Sequence, residues 1–260
     1  MKKYVNLFVF VFMVGACFSQ GKAQTKSAVS YKNPVVDIAM PDPTVIKAAD
    51  GYFYVYATES TRNVPIMKSK DLVQWTYCNT AFTNKTRPRF EPKAGIWAPD
   101  INYINNKYVL YYAMSVWGGE QTCGIGVATA NSPQGPFTDH GKMFRSNEIG
   151  VQNSIDPSLL QYEGRNYLVW GSFRGIYVIE LTADGLSIMP GAKKKRIAGT
   201  AFEAVYIHKH GDYYYMFASI GSCCQGVKST YKVIVGRSKK VWGPYKDCLL
   251  YTSPSPRDCS

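Results

Sequence analysis

Four times along the chain the same layout returns, and an internal repeat limits the choice of fold more than any other property of a sequence. Each copy opens on an acidic residue beside a short apolar run: Asp42-Pro43-Thr44-Val45-Ile46, Pro99-Asp100-Ile101-Asn102-Tyr103, Asp156-Pro157-Ser158-Leu159-Leu160 and Glu203-Ala204-Val205-Tyr206-Ile207. A turn bearing Gly or Asn follows, then a tyrosine-rich strand such as Gly51-Tyr52-Phe53-Tyr54-Val55-Tyr56 or Asp212-Tyr213-Tyr214-Tyr215-Met216-Phe217. A third strand comes next, for instance Gly124-Ile125-Gly126-Val127-Ala128. Two copies close on matching turns, Gly135-Pro136-Phe137 and Gly243-Pro244-Tyr245, where the first copy has Gln74-Trp75. The acidic starts lie 58, 56 and 47 residues apart. Hairpin-linked strands repeating at about 50 residues are the signature of propeller blades. A β-sandwich also uses short strands, but nothing in it requires an acid at one place in every unit. No stretch carries sustained helical periodicity, and 20 Tyr with 22 Gly and 14 Pro favour many short strands. The fold class is therefore all-β.

In a propeller the first strand of every blade lines the central axis. Asp42, Asp100, Asp156 and Glu203 then converge on one funnel although they are far apart in sequence. Carboxylates held close together raise one another's pKa, which is how a site keeps one protonated acid beside one ionised base near neutral pH. The alternative is that these acids cap strand ends or pair with Lys and Arg. Four in register favour chemistry.

The ends of the chain do not share the repeat. Residues 1–23 read as an export signal, with Lys2 and Lys3, an apolar stretch from Val5 to Val14, and Gly21-Lys22-Ala23 before Gln24. A competing reading takes Val14-Gly15-Ala16-Cys17 as a bacterial lipobox with Cys17 as the lipidated mature terminus. Residues 24–33 form a linker and 34–247 the repeat domain. Residues 248–260 (CLLYTSPSPRDCS) lack strand alternation and resemble translated vector sequence more than a native terminus; a flexible tail is the other reading. Of seven Cys, this leaves Cys78, Cys123, Cys223 and Cys224, without metal-ligand spacing. Cys223 and Cys224 are expected as buried, reduced thiols, with a vicinal disulfide as the alternative. The net charge of +12 is scattered, and its one dense run, Lys193 to Arg196, reads as a solvated loop. No recognition motif accompanies the charge, so nucleic acid is not an expected partner.

The set Asp42-Pro43-Thr44, Trp97-Ala98-Pro99-Asp100, Ile155-Asp156-Pro157-Ser158 and Glu203-Ala204 resembles glycoside hydrolase family 43, a group of five-bladed propeller enzymes. Gly221-Ser222-Cys223-Cys224, Ser229-Thr230-Tyr231 and Val235-Gly236-Arg237-Ser238 are similar to the arabinan endo-1,5-α-L-arabinanases within it. The resemblance runs from about Asn33 to Asp247. It implies that Asp42 is the general base that activates water, Glu203 the general acid, and Asp156 the third carboxylate, which tunes and orients the acid. It also implies inversion, with base and acid roughly 6.5–9.5 Å apart to admit a water. Asn153, Ser154, Ile155, Ser172, Phe173 and Gly118 match sugar-contacting positions. Trp97 and Trp117 offer flat faces for a furanose ring, with core packing as the other reading, and Asp100 is an orienting hydrogen-bond group.

Two features depart from the family's pattern. Arg174 stands where the arabinanases carry an aromatic after Ser-Phe. Only four repeats precede Cys248, whereas the family has five blades, and the fifth supplies a His near the axis that helps hold a calcium or other ion. His140, His208 and His210 fall on loops or blade surfaces, and none replaces it. The expectation is thus an incomplete propeller of about four blades, shortened at its C-terminus, poorly soluble and nearly inactive as it stands. The chemistry requires no cofactor, no residue of this chain is assigned to a metal, and a structural calcium or other ion belongs to the longer parent. The expected activity is exported cleavage of α-1,5-L-arabinan. Exo-acting arabinofuranosidase or β-xylosidase action, or binding without catalysis, are the alternatives. The expected partner is plant cell-wall arabinan or arabinoxylan, and the expected location periplasmic or secreted, or the outer membrane through a lipid on Cys17.

Overall fold

The computed structural model describes residues 30–247; the readings for residues 1–23 and 248–260, including Cys17, lie outside them. Sixteen short strands fall in one compact unit that begins at Asn33. They form four antiparallel sheets, and in each the strands are ordered as in the sequence. The first sheet holds β1 (Thr44–Lys47), β2 (Phe53–Tyr56), β3 (Pro65–Ser69) and β4 (Thr76–Thr80). The second holds β5 (Gly95–Ile104), β6 (Lys107–Ser115), β7 (Gly124–Ala130) and β8 (Thr138–Arg145). The third holds β9 (Ser158–Tyr162), β10 (Arg165–Trp170), β11 (Ile176–Glu180) and β12 (Lys195–Ala198). The fourth holds β13 (Glu203–His210), β14 (Tyr213–Ile220), β15 (Lys232–Ser238) and β16 (Lys246–Asp247). The first strands neighbour one another in turn, β1 beside β5, β5 beside β9 and β9 beside β13. This is the blade arrangement of a propeller, with four blades among the described residues and one α-helical turn, α1 (Ser146–Ile149).

Local chemistry explains the hairpins. Asn105 and Asn106 both take positive φ (48° and 62°) in the two-residue turn from β5 to β6, and Glu163 and Gly164 (49° and 73°) do the same between β9 and β10. Two left-handed residues give the turn whose twist matches that of the strands it joins. In β1–β2 the Asp50 carboxylate instead holds the turn, accepting from the Tyr52 N–H at 3.0 Å and from the Tyr54 hydroxyl at 2.7 Å.

The middle strands are buried on both faces, so they read as continuous apolar runs and their alternation appears only in what each residue packs against. Along β6, Leu110, Tyr112 and Met114 face the first sheet while Val109 and Tyr111 face the third. Along β10, Leu168 and Trp170 pack towards the second sheet and Val169 towards the fourth. The tyrosines fill the widening space between blades and find acceptors at its margin. Tyr111 donates to the Gly185 carbonyl at 2.8 Å, Tyr112 to Asp139 Oδ1 at 2.6 Å, and Tyr56 to the Pro133 carbonyl. Burial of each ring contributes about 2–3 kcal/mol, and the hydroxyl's partner keeps that gain from being cancelled. The face of the fourth sheet turned away from the third is different: Tyr206, Phe217 and Val233 are exposed there.

The structure corrects two expectations. Each blade has a fourth strand that the repeat did not reveal, because these strands are short or polar and exposed. Lys195 and Arg196 lie in one of them, β12, and not in a loop; an edge strand carrying charge resists pairing with other chains. His140, His208 and His210 lie on the exposed surface of blade strands β8 and β13, one of the two placements expected for them.

Candidate active site

The four repeated acids sit where regular strand geometry breaks. Asp42 (φ 50°) and Asp156 (φ 58°) are themselves left-handed, each just ahead of its blade's first strand. In the other two blades the neighbour takes the irregularity. Ala98 (φ 40°) lies in a break of register between Trp97 and Asp100, and Ala204 (φ 51°) in one between Glu203 and Tyr206. Left-handed non-glycine residues and bulges cost free energy and persist where they aim a side chain. Here all four aim into a single cavity of about 1020 Å³.

Each acid has a different setting. Asp42 is exposed and accepts a hydrogen bond from Thr58 Oγ1 at 2.6 Å; the same hydroxyl accepts from the Ala98 N–H at 2.7 Å. Glu203 is buried and accepts from Ser172 Oγ at 2.6 Å. Burial first, then the Glu203 and Asp42 charges, push Asp156 well above the usual carboxylate range, against one stabilising hydrogen bond from the Ala204 N–H. Proton loss from Asp156 is therefore disfavoured by the low-dielectric surroundings and by the neighbouring negative charge. Asp100 joins three blades: its Oδ2 accepts from the Leu159 N–H and Asn102 Nδ2, both at 2.7 Å, and its Oδ1 from Thr44 at 3.5 Å. Burial nevertheless raises it from 3.8 to about 6. Glu120 also lines the cavity, and no Lys, Arg or His does so among the described residues. An acidic hollow in a basic protein repels anionic ligands and suits a neutral one.

The sites expected to contact sugar divide. Trp97, Trp117, Gly118, Asn153, Ile155, Ser172 and Phe173 line the cavity together with Asp100. Trp117 is 79% exposed, its ring centroid 5.7 Å from that of half-buried Trp97, which packs on Ala113, Cys123 and Ile155. Trp97 thus serves both core and cavity. Ser154 does not belong to this set. It is wholly buried, donates to the Val151 carbonyl at 2.8 Å and accepts from Trp170 Nε1 at 3.1 Å, so its hydroxyl is consumed in holding the loop. Cys223 and Cys224 are reduced, as expected, but line the cavity, Cys223 half-buried and Cys224 exposed. Burial, then Cys224 and the Glu203 charge, push the Cys223 thiol up to about 12.

Three lining residues, Thr58, Ser115 and Ser219, escaped the sequence reading. Together with Ser172 they face the cavity, and each of the four lies fifteen or sixteen residues after its blade's acid. The same repeat that revealed the acids therefore carried a hydroxyl at the end of every second strand. Tyr231 also faces inward and hydrogen-bonds Ser219 and Glu203. Arg174, the departure from the family pattern, forks onto the Glu120 carboxylate with contacts of 3.0 and 2.8 Å, which ties the β6–β7 loop to the β10–β11 loop. No group of three or more His, Cys, Asp and Glu among the described residues has the spacing to hold a metal.

Comparison with known proteins agrees with this geometry. The model for Glycosyl hydrolases family 43 matches residues 31–253. The extracellular endo-α-(1→5)-L-arabinanase 1 of Bacillus subtilis is 38% identical over 220 residues, covering 79% of this chain and 67% of the relative. The extracellular exo-α-(1→5)-L-arabinofuranosidase of Cellvibrio japonicus is 35% identical over 235 residues, covering 79% and 66%. The chain spans about two thirds of the length of these relatives. Among solved structures, the α-L-arabinanase of Cellvibrio cellulosa superposes with a TM-score of 0.72 at 31% identity, covering 82% of this chain and 74% of the other. With a family match over most of its length and the repeated acids gathered in one hollow, the chain belongs to glycosyl hydrolase family 43.

Proposed function

We propose that this protein hydrolyses α-1,5-linked L-arabinan with inversion of configuration. Asp42 acts as the base that takes a proton from water. Glu203 protonates the leaving oxygen, and Asp156 keeps the acid charged with its proton. The observation that carries this reading is the convergence of Asp42, Asp156 and Glu203, drawn from three blades, in an acidic cavity walled by exposed Trp117 and half-buried Trp97. Asp42 is exposed and so open to an attacking water, while Glu203 lies buried at the cavity wall with Ser172 donating to its carboxylate. An arabinanase of the same fold has been solved with arabinohexaose, which supports arabinan as the substrate class. Relatives named as extracellular support export.

Chain-end action is the second reading, favoured by the Arg174–Glu120 bridge across two rim loops and by an exo-acting relative. The test is release of reducing ends from linear arabinan, with the product anomer followed by NMR. Tryptophan fluorescence, reported by Trp97 and Trp117, measures arabino-oligosaccharide binding separately. Glu203→Gln is expected to bind and not cleave. Equal cleavage by the variant, or no binding by either protein, refutes the proposal; long or short products decide between internal and terminal attack.

A further inference from the structure

Asn153 and Ser172 entered the site as residues positioned to touch sugar, yet their hydrogen bonds run the other way, towards Glu203. Asn153 Nδ2 lies 2.9 Å from Ser172 Oγ and 3.2 Å from the Ser172 carbonyl. A carbonyl only accepts, so the atom facing it must be the amide nitrogen; the orientation of Asn153 is fixed by chemistry. Its N–H is therefore also the donor to Ser172 Oγ. Ser172 is 1% exposed, and Glu203 Oε2, at 2.6 Å, is the one acceptor its hydroxyl reaches among the described hydrogen bonds. The single hydroxyl proton must then point at Oε2.

The backbone holds this arrangement in place. Ser172 and Glu203 form an antiparallel bridge between the third and fourth blades, and the Phe173 N–H donates to the Phe202 carbonyl at 2.9 Å. On the other side, the Asn153 N–H donates to the Glu120 carbonyl at 2.7 Å. The other titratable groups facing Glu203 are Asp156, Cys223 and Tyr231, with Asp42 in the same cavity. None of these side chains is a cation. The Tyr231 hydroxyl can turn to donate or accept, whereas that of Ser172 cannot.

We propose that Asn153 and Ser172 are positioning residues for proton transfer: a one-way relay, Asn153 Nδ2–H to Ser172 Oγ–H to Glu203 Oε2, confines the acid's transferable proton to Oε1. This deepens the proposed function and rests on Glu203 being its general acid. As the Oε1 proton passes to the glycosidic oxygen, the electron pair of the O–H bond stays on Glu203 and negative charge grows on its carboxylate. The Ser172 bond becomes charge-assisted at that moment and so strengthens in the transition state.

The test is Ser172→Ala, with Ser172→Thr as the conservative variant; the first blade carries Thr58 at the matching place. Substrates are arabinotriose, whose leaving oxygen needs a proton, and 2,4-dinitrophenyl arabinofuranoside, whose leaving oxygen does not. Ser172→Ala is expected to lower kcat on the trisaccharide about 10- to 100-fold and to leave the aryl glycoside within about threefold. Losing the donor disfavours the ionised carboxylate, so the alkaline limb of the pH–kcat profile should rise by about one unit. Ser172→Thr restores both, and Asn153→Asp, which draws the serine proton away from Glu203, reproduces the alanine defect. Equal loss on both substrates, carried by KM with an unmoved alkaline limb, would mean a sugar contact and overturn the relay. If the wild-type chain cleaves no arabinoside, the hydrolase reading falls by itself. Carbon-13 titration of the carboxyl resonance that disappears in Glu203→Gln still decides the relay: it must move to higher pH in Ser172→Ala, and an unmoved titration overturns it.

Discussion

Replacing Asp100 by Asn should stabilise the protein at neutral pH, although Asp100 binds three blades together. Its Oδ2 receives both obligatory donors, the Leu159 N–H and Asn102 Nδ2, while Oδ1 meets only the Thr44 hydroxyl. An Asn oxygen can take the Oδ2 place, and its nitrogen can then donate to Thr44, since a hydroxyl accepts as well as donates. What changes is the charge. Burial raises Asp100 from 3.8 to about 6, so ionising it costs more in the folded chain than in the unfolded one. Below about pH 4 the group is protonated in both states and the cost is absent; it grows as pH rises and is complete above about pH 6. Each unit is worth about 1.4 kcal/mol, which gives about 3 kcal/mol for the whole interval. Asp100→Asn escapes that cost, and for a chain of this size its melting temperature at pH 7 should exceed the wild type's by about 6–12 °C. Differential scanning fluorimetry between pH 4 and 7.5 reads it directly. The gap should close at pH 4. A variant no more stable at pH 7, or a gap independent of pH, would refute the assignment of Asp100 as a destabilised buried charge.

Two further outcomes follow from the rim and wall of the cavity. Arg174→Ala removes an exposed ion pair worth about 0.2–1 kcal/mol, so the melting temperature should move by no more than about 4 °C, while kcat/KM for linear arabinan relative to arabinotriose rises several-fold as the two rim loops separate; an unchanged ratio would show that the bridge does not shape the cleft. Iodoacetamide should label exposed Cys224 before buried Cys123, and labelling at the cavity wall should abolish oligosaccharide-induced fluorescence change; full binding after Cys224 is labelled would place the wall outside the sugar's path.

The repeat carried most of what could be read in advance. Hairpin-linked strands at a period near 50 residues leave few ways to bury a chain that is apolar on both faces of its middle strands, and β6 and β10 are such strands. An acid at one place in each repeat must reach one place in space once the blades are set around an axis, so Asp42, Asp100, Asp156 and Glu203 were legible together. The row of hydroxyls from Thr58 to Ser219 was equally legible and went unread, because Ser and Thr at strand ends are common and only their phase with the acids distinguishes them.

Other features exist only in three dimensions. Whether Ser154 or Ser172 faces the cavity depends on which way a loop turns, and the Trp170 indole claims the first while the bridge to Glu203 aims the second. The high proton affinity of Asp156 and Asp100 comes from surroundings that several blades supply, and no spacing along the chain encodes it. Arg174 and Glu120 are 54 residues apart, and their pairing belongs to the meeting of two loops. Periodicity is a property of the chain and survives in any arrangement of blades. Solvent exclusion and the direction of a hydrogen bond belong to atoms brought together by folding, so the fold and the convergence of the repeated acids were written in the sequence, and the surroundings of each acid were decided by packing.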